Sequence, residues 1–241
     1  MFYPSRTEDD RSEPFELQVA RNLIKGHAQV NIFGYQPLVS TTFIPVWENA
    51  TVYTYPPAAT VMQIVSDSVA DTAVSIRIMG LNALYEPITE VITLNGTTPI
   101  STVGSYLRIN NLVTVSGNAV GNITLSAAGV TYGRILAGVG RSQMSLFSVP
   151  AGYSFYLNRV DMFSSLSGGS GNHCLYQVRS QAQNGTNIRV LQAPFVERYE
   201  AVRIIPFQYL EKTDVQWQVA SAQQPAEVGA VIEGVLIRNE H

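Results

Sequence analysis

The first pattern along the chain is a pair of adjoining runs in which apolar and polar residues alternate. Residues 144–149 and 153–163 both show the two-residue period of a β-strand and are rich in aromatic and β-branched side chains. Residues 150–152, Pro-Ala-Gly, separate the runs and are typical of a tight turn. Phe155 and Leu157 fall on one side of the second run, so we expect that side to pack on a sandwich core.

Short apolar stretches separated by turn residues continue from residue 28 almost to the end of the chain. Asn95-Gly96 and Asn184-Gly185 are strong hairpin signals, because both residue types tolerate the positive φ angles that tight hairpin turns require. Strands this short and this regularly spaced predict an all-β protein, and we expect a jelly-roll-like β-sandwich. The predicted strands are residues 28–33, 60–66, 73–79, 87–94, 103–109, 111–116, 121–126, 131–137, 143–149, 153–163, 173–182, 187–193, 199–205, 213–220 and 228–238.

Residues 1–26 lie outside this strand pattern and are predicted to form an N-terminal arm. Residues 1–13 carry many charges and almost nothing to bury, which is typical of a solvated segment. Apolar residues then recur at every fourth position, which predicts a short helix capped by Ser12 and ended by Gly26. Those apolar residues are Phe15, Val19 and Leu23. Leu17 also alternates with Val19 as in a strand, so a helix and an extended arm both remain open.

Residues 36–59 have no regular period and combine four prolines with several aromatic residues. We predict a long irregular connection that lies over the fold and uses aromatic side chains as anchors. For Trp47, a buried or interface position is one interpretation, and an aromatic platform for sugar rings is the functional alternative.

A stretch rich in glycine and alanine at 127–142 marks a candidate boundary. We therefore divide the chain into the arm 1–26, an N-terminal β region 27–141 that contains the irregular connection, and a β-sandwich core region 142–241. One elaborated jelly roll and a sandwich preceded by a smaller β subdomain both fit this pattern. We favour one core built mainly from residues 142–238, with earlier strands added.

The composition favours a protein that works in an assembly. Charged residues make up 14% of the chain, against about 25% in an average soluble domain, so much of the surface must be neutral and polar. Only Lys25 and Lys212 are lysines, the net charge is −3 and no basic stripe is present, so we expect no nucleic-acid partner. No apolar run approaches 18 residues and no signal peptide is evident, so we expect no membrane partner. The lone Cys174 is predicted to be a small core residue.

The chain offers few residues for catalysis. None of its three histidines has a metal-ligand spacing, so we expect no metal and no cofactor. Two carboxylate pairs are candidates for a glycosidase centre, Glu197 with Glu200 and Glu211 with Asp214. Each pair has basic residues beside it, which favours ion pairs over catalysis, and we expect that the protein is not an enzyme.

The last predicted strand is apolar at both odd and even positions, so we expect cover on both of its faces. Glu233 lies in its middle and needs a partner, because an unpaired buried carboxylate is costly. The candidate partners are Arg134, Arg159 and Arg203.

Four stretches carry a family resemblance: PFELQVARNLIKGHAQVNIFGYQP, LNGTTPISTVGSYLRIN, SQMSLFSVPAGYSFYLNRVDMFSS and GAVIEGVLIRN. Together they resemble a group of virion structural proteins of tailed bacteriophages. The resemblance implies an accessory capsid protein, a decoration or cement protein that binds the major capsid protein on the virion surface. Such proteins are often jelly-roll or sandwich trimers whose arms reach their neighbours. Head, neck and tail positions on the particle all remain open.

A homo-oligomer, expected to be a trimer, agrees with the neutral surface and the arm. The residues predicted to form the capsid or subunit interface are Phe15, Leu17, Val19, Leu23, Trp47 and Tyr53. The alternative from another class is a carbohydrate-binding receptor module of a tail or fibre, which needs an exposed aromatic ring flanked by polar side chains.

Overall fold

The computed structural model describes residues 13–49, 51–166, 172–182, 185, 187–222 and 225–239, and of residues 187–191 the backbone alone. These residues form one helix, α1 (Phe15–Ala20), and sixteen β-strands. The strands are β1 (His27–Val39), β2 (Ile44–Pro45), β3 (Thr60–Ser66), β4 (Ser75–Leu81), β5 (Pro87–Thr93), β6 (Ile100–Tyr106), β7 (Arg108–Ser116), β8 (Ile123–Ala127), β9 (Val130–Ile135), β10 (Leu146–Ser148), β11 (Tyr153–Ser164), β12 (Cys174–Gln181), β13 (Asn187–Phe195), β14 (Arg198–Tyr209), β15 (Asp214–Ser221) and β16 (Ala226–Arg238).

Four antiparallel sheets build two β-sandwiches. In the first sandwich a sheet of order β1-β16-β11-β14 packs on a sheet of order β10-β15-β12-β13, with β2 paired to β15. Their inward-facing side chains form one core, in which Phe155, Tyr176 and Trp217 are each at most 1% exposed. Alternate positions along each strand enter this core, as the two-residue period requires.

The second sandwich consists of a sheet of order β6-β3-β8-β9 and a sheet of order β5-β4-β7. Its separate core contains Met62, Ile78, Tyr106 and Leu112, all fully buried. Both sandwiches therefore have their own hydrophobic interior, which is the usual mark of independent packing units.

The second sandwich lies in the chain between β2 and β10, so two connecting segments join it to the first. These segments run side by side: the backbone N–H of Ser145 donates to the Val46 carbonyl at 2.9 Å, and Trp47 pairs with Met144 in a β-bridge. Glu48 is buried at this junction and accepts a hydrogen bond from the backbone N–H of Gln143 at 2.5 Å.

Within the predicted region 27–141, the structure places β1 and β2 in the first sandwich and β3 to β9 in the second. β1 pairs along its length with β16, almost two hundred residues later. Within the irregular connection 36–59, residues 36–39 and 44–45 belong to strands and Trp47 forms a β-bridge, whereas residues 40–43 and the described residues from 48 to 59 lie in no strand.

The all-β class is confirmed, and each of the fifteen predicted strands has a counterpart. β2 was missed because two residues show no period. The predicted helix is present but shorter, since it ends before Arg21 and Asn22 then takes a positive φ of 57°. The predicted cap Ser12 and residues 1–12 of the arm lie outside the described residues.

The prediction that the last strand is covered on both faces is wrong. Even-numbered residues of β16 such as Val228 and Ile232 are buried, but Val231 and Val235 are half-exposed on the outer face of the sheet. Phe15 of α1 and Arg141 reach this face at His27 and Phe33 of β1, but Val231 and Val235 beside those residues stay half-exposed. Cys174 is a buried free thiol, as predicted.

Candidate interaction surfaces

The six residues predicted for the interface are divided between the interior and the surface. Trp47 and Tyr53 are 1% and 5% exposed and meet edge to face in the second core, with ring centroids 5.0 Å apart. Trp47 also donates its indole N–H to the Thr51 carbonyl at 2.8 Å. Both aromatic side chains therefore anchor the irregular connection to the second sandwich, where no partner reaches them.

The arm residues do not join this aromatic pair. Val19 is buried, whereas Phe15, Leu17 and Leu23 are 36%, 46% and 50% exposed. The Phe15 ring meets His27 of β1 edge to face at 5.9 Å, which attaches the helix to the first strand. The accessible residues of the predicted interface are thus Phe15, Leu17 and Leu23.

A second exposed apolar surface lies on β14, the edge strand of the first sheet. β14 pairs with β11, but the register jumps: Leu157 faces Phe207, whereas Arg159 faces Val202. Four residues of β14, 203–206, therefore lie opposite the single residue Asn158. Residues that cannot pair are extruded from the ladder as a large bulge.

Among the described side chains of the first sandwich, those of the extruded segment include the most exposed apolar ones. Ile204 and Ile205 are 100% and 83% exposed, and Val202 beside them is 69% exposed. We call Val202, Ile204 and Ile205 the isoleucine knob. Pro206 follows the knob. Because proline has no backbone N–H, it keeps this edge from pairing with another strand. The half-buried Arg203 lies over the Phe207 ring at 5.8 Å and holds the root of the bulge in place.

The second sandwich carries an open groove between its edge strands β5 and β6. The groove has a volume of about 720 Å³, and its apolar lining residues are interleaved with Thr89, Glu90, Thr93 and Ser101. Ile88 and Ile100 are partly buried against the core, whereas Val91 and Val103 are 54% and 95% exposed. We call this feature the β5–β6 groove.

A bulge in β6 gives the groove its shape. Residues 102–104 lie opposite Met62 alone, and the Met62 N–H donates to the Thr102 hydroxyl at 2.9 Å instead of to a strand carbonyl. The Glu90 carboxylate, on β5, accepts the backbone N–H groups of Val103 and Gly104 at 3.0–3.1 Å. Glu90 therefore fixes the bulge that holds Val103 out into solvent.

Charged residues occupy the centre of the outer face of the first sheet. Asp161, 3% exposed at its side chain, binds Arg159 at 2.8 Å and Arg198 at 2.7 Å. Glu200 joins the same two arginines at 2.9 Å and 3.3 Å. Hydrogen bonds from Arg198, with the charges of both arginines, lower the pKa of Asp161. Glu233 pairs with Arg159 at 3.5 Å, which confirms the expected arginine partner and identifies it.

Three of the four carboxylates that were candidates for catalysis are engaged in structural contacts. Glu200 belongs to the ion-pair cluster above, and Glu211 accepts the backbone N–H of Gly152 at 2.6 Å. Asp214 is buried and binds Arg108 of the second sandwich, with Nε at 2.9 Å and 3.0 Å from its two oxygens. That pair connects the two sandwiches. The absence of enzymatic activity stays a prediction.

A polar cleft of about 270 Å³ lies between residues 52–55 and the outer face of the β10-β15-β12-β13 sheet of the first sandwich. Arg179, Gln216 and Gln218 of that sheet line it. Trp47 and Trp217 are 1% and 0% exposed, so neither offers a ring face to a sugar. The aromatic platform expected for a carbohydrate-binding module is therefore not built from the tryptophans.

In the described part of the chain, no group of three or more His, Cys, Asp or Glu side chains is arranged to hold a metal ion. The described helix is six residues long, too short to cross a membrane.

Sequence reasoning missed the isoleucine knob and the β5–β6 groove. One signal for the knob was present: Ile204 and Ile205 are adjacent apolar residues that break the alternation of their strand, and a proline follows. The groove left no such signal, because it arises where edge strands of two different sheets meet.

No protein-family model and no curated protein sequence matches the chain. Among solved structures, the structure of infectious bursal disease virus Gt strain is similar over 94% of this chain and 78% of its own, with 11% identity and a TM-score of 0.23. The structure of the Gx strain of that virus is similar over 88% and 71%, with 13% identity and a TM-score of 0.25. The crystal structure of its VP2 subviral particle is similar over 90% and 78%, with 10% identity and a TM-score of 0.19. TM-scores of this size support no conclusion about this chain.

Proposed function

We propose that this chain is a virion structural protein of a tailed bacteriophage, which binds the outside of the capsid and stabilises neighbouring capsomers. In this proposal it is a cement or decoration protein that assembles as a homo-oligomer, a trimer in the simplest case, on the major capsid protein. The sequence resemblance to phage virion proteins supports the class. Two exposed apolar surfaces and the apolar arm support a role in assembly.

We further propose that the first sandwich is a jelly roll. A jelly roll is a long antiparallel hairpin of eight strands that is rolled into two sheets, so its first strand pairs with its eighth, its second with its seventh, and so on inwards. The ladders β1–β16, β10–β15, β11–β14 and β12–β13 follow this order. In this interpretation β2 and β10 are two parts of the second strand, and the second sandwich is inserted between them.

The observation that carries the proposal is the exposure of large apolar side chains on the folded surface, at Ile204 and Ile205 in the bulge of β14 and at Val103 in the bulge of β6. Fully burying one isoleucine gains about 1.5–3 kcal/mol, and the isoleucine knob forgoes that gain in the single chain. Contiguous exposed apolar residues on a folded surface mark interaction sites. A structural protein that is permanently assembled recovers this free energy in its interfaces.

The arm supplies a contact of a different kind. Phe15, Leu17 and Leu23 are accessible around a short helix, and twelve residues precede the described part of the chain. We propose that this arm binds the major capsid protein.

The test is binding to capsid shells that lack this protein. Wild type, a chain without residues 1–12 and the double variant Leu17→Asp/Leu23→Asp are mixed with shells, and co-sedimentation and shell stability against heat are measured. We expect wild type to bind and to stabilise the shells, and the other two proteins to bind at least 10-fold more weakly. A matched control is Val139→Asp, an exposed apolar residue in the loop after β9. Wild-type protein that ignores the shells but binds cell-surface glycans would refute the proposal in favour of a receptor module.

A further inference from the structure

The isoleucine knob and the β5–β6 groove are complementary features of one chain. The knob is an apolar projection on the first sandwich, and the groove is a depression on the second that is lined mainly by apolar side chains and by the Glu90 carboxylate. Both are open in the single chain, since Ile204 is 100% exposed and Val103 is 95% exposed. The knob therefore does not occupy the groove of its own chain, and both surfaces are free to bind a second copy.

We propose that the isoleucine knob of one copy inserts into the β5–β6 groove of a second copy of this chain. This inference deepens the proposed function, because it rests on the proposed homo-oligomer and names the surfaces that form it. The contact is heterologous, since different patches of the two copies meet. Heterologous contacts close into a ring when the rotation between copies permits.

Charge favours this pairing over a knob-to-knob contact. Arg203 lies at the root of the knob, and within the described residues no carboxylate forms an ion pair with it. Glu90 lines the groove, and in the same part of the chain no cationic side chain pairs with its carboxylate. Insertion of the knob brings opposite charges together, whereas two knobs would bring two arginines together.

The bulges explain why the contact is made by side chains and not by strand addition. Pro206 and the extruded residues 203–206 interrupt the free edge of β14, and the bulge at residues 102–104 interrupts the edge of β6. Neither edge presents a regular row of N–H and C=O groups to another strand. Knob and groove amount to fewer residues than the 20–30 per side of a stable interface, so they form its apolar centre and not its whole area.

The test is the self-association of full-length variants, measured by sedimentation velocity over a range of concentrations. We expect Ile204→Asp and Val103→Asp each to weaken self-association at least about 30-fold, the effect of losing a central apolar contact. Val130→Asp is the control, because Val130 is 41% exposed on β9, the opposite edge of the sheet that contains β6. Urea unfolding of each variant checks folding, which we expect to be unchanged since the replaced side chains are exposed.

Mixing the two defective variants gives the decisive result. The Ile204→Asp copy keeps its groove and the Val103→Asp copy keeps its knob, so one intact interface remains possible between them. We expect the mixture to form a 1:1 dimer and nothing larger. The inference is overturned if the mixture stays monomeric while each variant alone is folded, if Val103→Asp leaves self-association unchanged, or if wild type is monomeric at all concentrations. Shell binding of the same variants separates these failures from failure of the proposed capsid function, because a monomer that still binds and stabilises shells refutes only the contact.

Discussion

Glu48 is a carboxyl group that the fold holds in its protonated form at the junction between the sandwiches. Replacing it tests how its burial affects the free energy of unfolding at different pH values. It is 2% exposed, one oxygen accepts the Gln143 N–H, and the other has no hydrogen-bond partner among the described residues. Burial raises the pKa of Glu48 from 4.5 to about 8, against smaller opposing effects of that hydrogen bond and of the Arg134 charge. The charged form is therefore strongly disfavoured in the folded state.

The sign of the pH dependence follows from proton binding. Between pH 4.5 and 8 the unfolded chain has lost this proton and the folded chain retains it, so Glu48 makes the protein less stable as the pH rises. Each pH unit in that window costs about 1.4 kcal/mol. Glu48→Gln removes the titration and keeps the acceptor for Gln143. From pH 5 to pH 7.5 we expect the variant to gain about 3 kcal/mol of unfolding free energy relative to wild type.

Urea unfolding at pH 5, 6.25 and 7.5 measures this, with fluorescence of Trp47 and Trp217 reporting on the two cores. The difference between variant and wild type is compared across pH, so any constant cost of the buried amide cancels. Glu16→Gln, in the exposed first turn of α1, is the control and should show no trend. A variant-minus-wild-type difference that stays constant within about 1 kcal/mol from pH 5 to 7.5 would refute the reasoning.

Three further predictions concern packing and ion pairs. A Cβ at Gly234 would lie 2.3 Å from a carbonyl oxygen of the paired strand, whereas one at Gly229 meets nothing closer than 3.9 Å. We expect Gly234→Ala to cost about 2 kcal/mol or more and Gly229→Ala much less in urea unfolding. Asp161→Asn should cost about 2 kcal/mol at pH 7, and because the native pKa of Asp161 is lowered from 3.8 this cost should decline steadily as the pH falls below about 4; a cost at pH 2.5 equal to the cost at pH 7 would contradict the assignment. Arg108→Met leaves Asp214 buried without its cation and should cost about 3–5 kcal/mol, while adding Asp214→Asn should recover part of the loss; an equal or larger loss in the double variant would show that the ion pair is not the cause.

The strands were predictable from sequence because their signals are local. The two-residue alternation in β3 and β11, together with the turn residues between strands, predicts which segments are extended and which face of each strand is apolar. Burial of Cys174 followed from the same kind of reasoning, as did the need of Glu233 for an arginine. The choice of Arg159 among three arginines did not, because it depends on which strands are neighbours.

The interaction surfaces were only partly predictable. The arm residues Leu17 and Leu23 are accessible, as an apolar segment outside the strand pattern suggests, but Trp47 and Tyr53 lie in a core. Composition cannot distinguish an aromatic residue that is buried in the core of its own chain from one that is exposed and binds a partner. The knob at Ile204 depends on a register jump between β11 and β14, and register is set by how both strands pack on the core.

The sequence by itself determined an all-β chain, the positions of its strands and a surface low in charge. Only the tertiary structure decided that these strands form two sandwiches, the second inserted in the chain between two strands of the first. It also decided that β1 pairs with β16 and that the isoleucine knob and the β5–β6 groove are exposed. The physical reason is that backbone hydrogen bonds are the same for every pair of strands, so a ladder carries no preference for its partner. The partner, the register and the residues left outside are fixed when all strands bury their apolar faces at once, and that choice is a property of the whole chain.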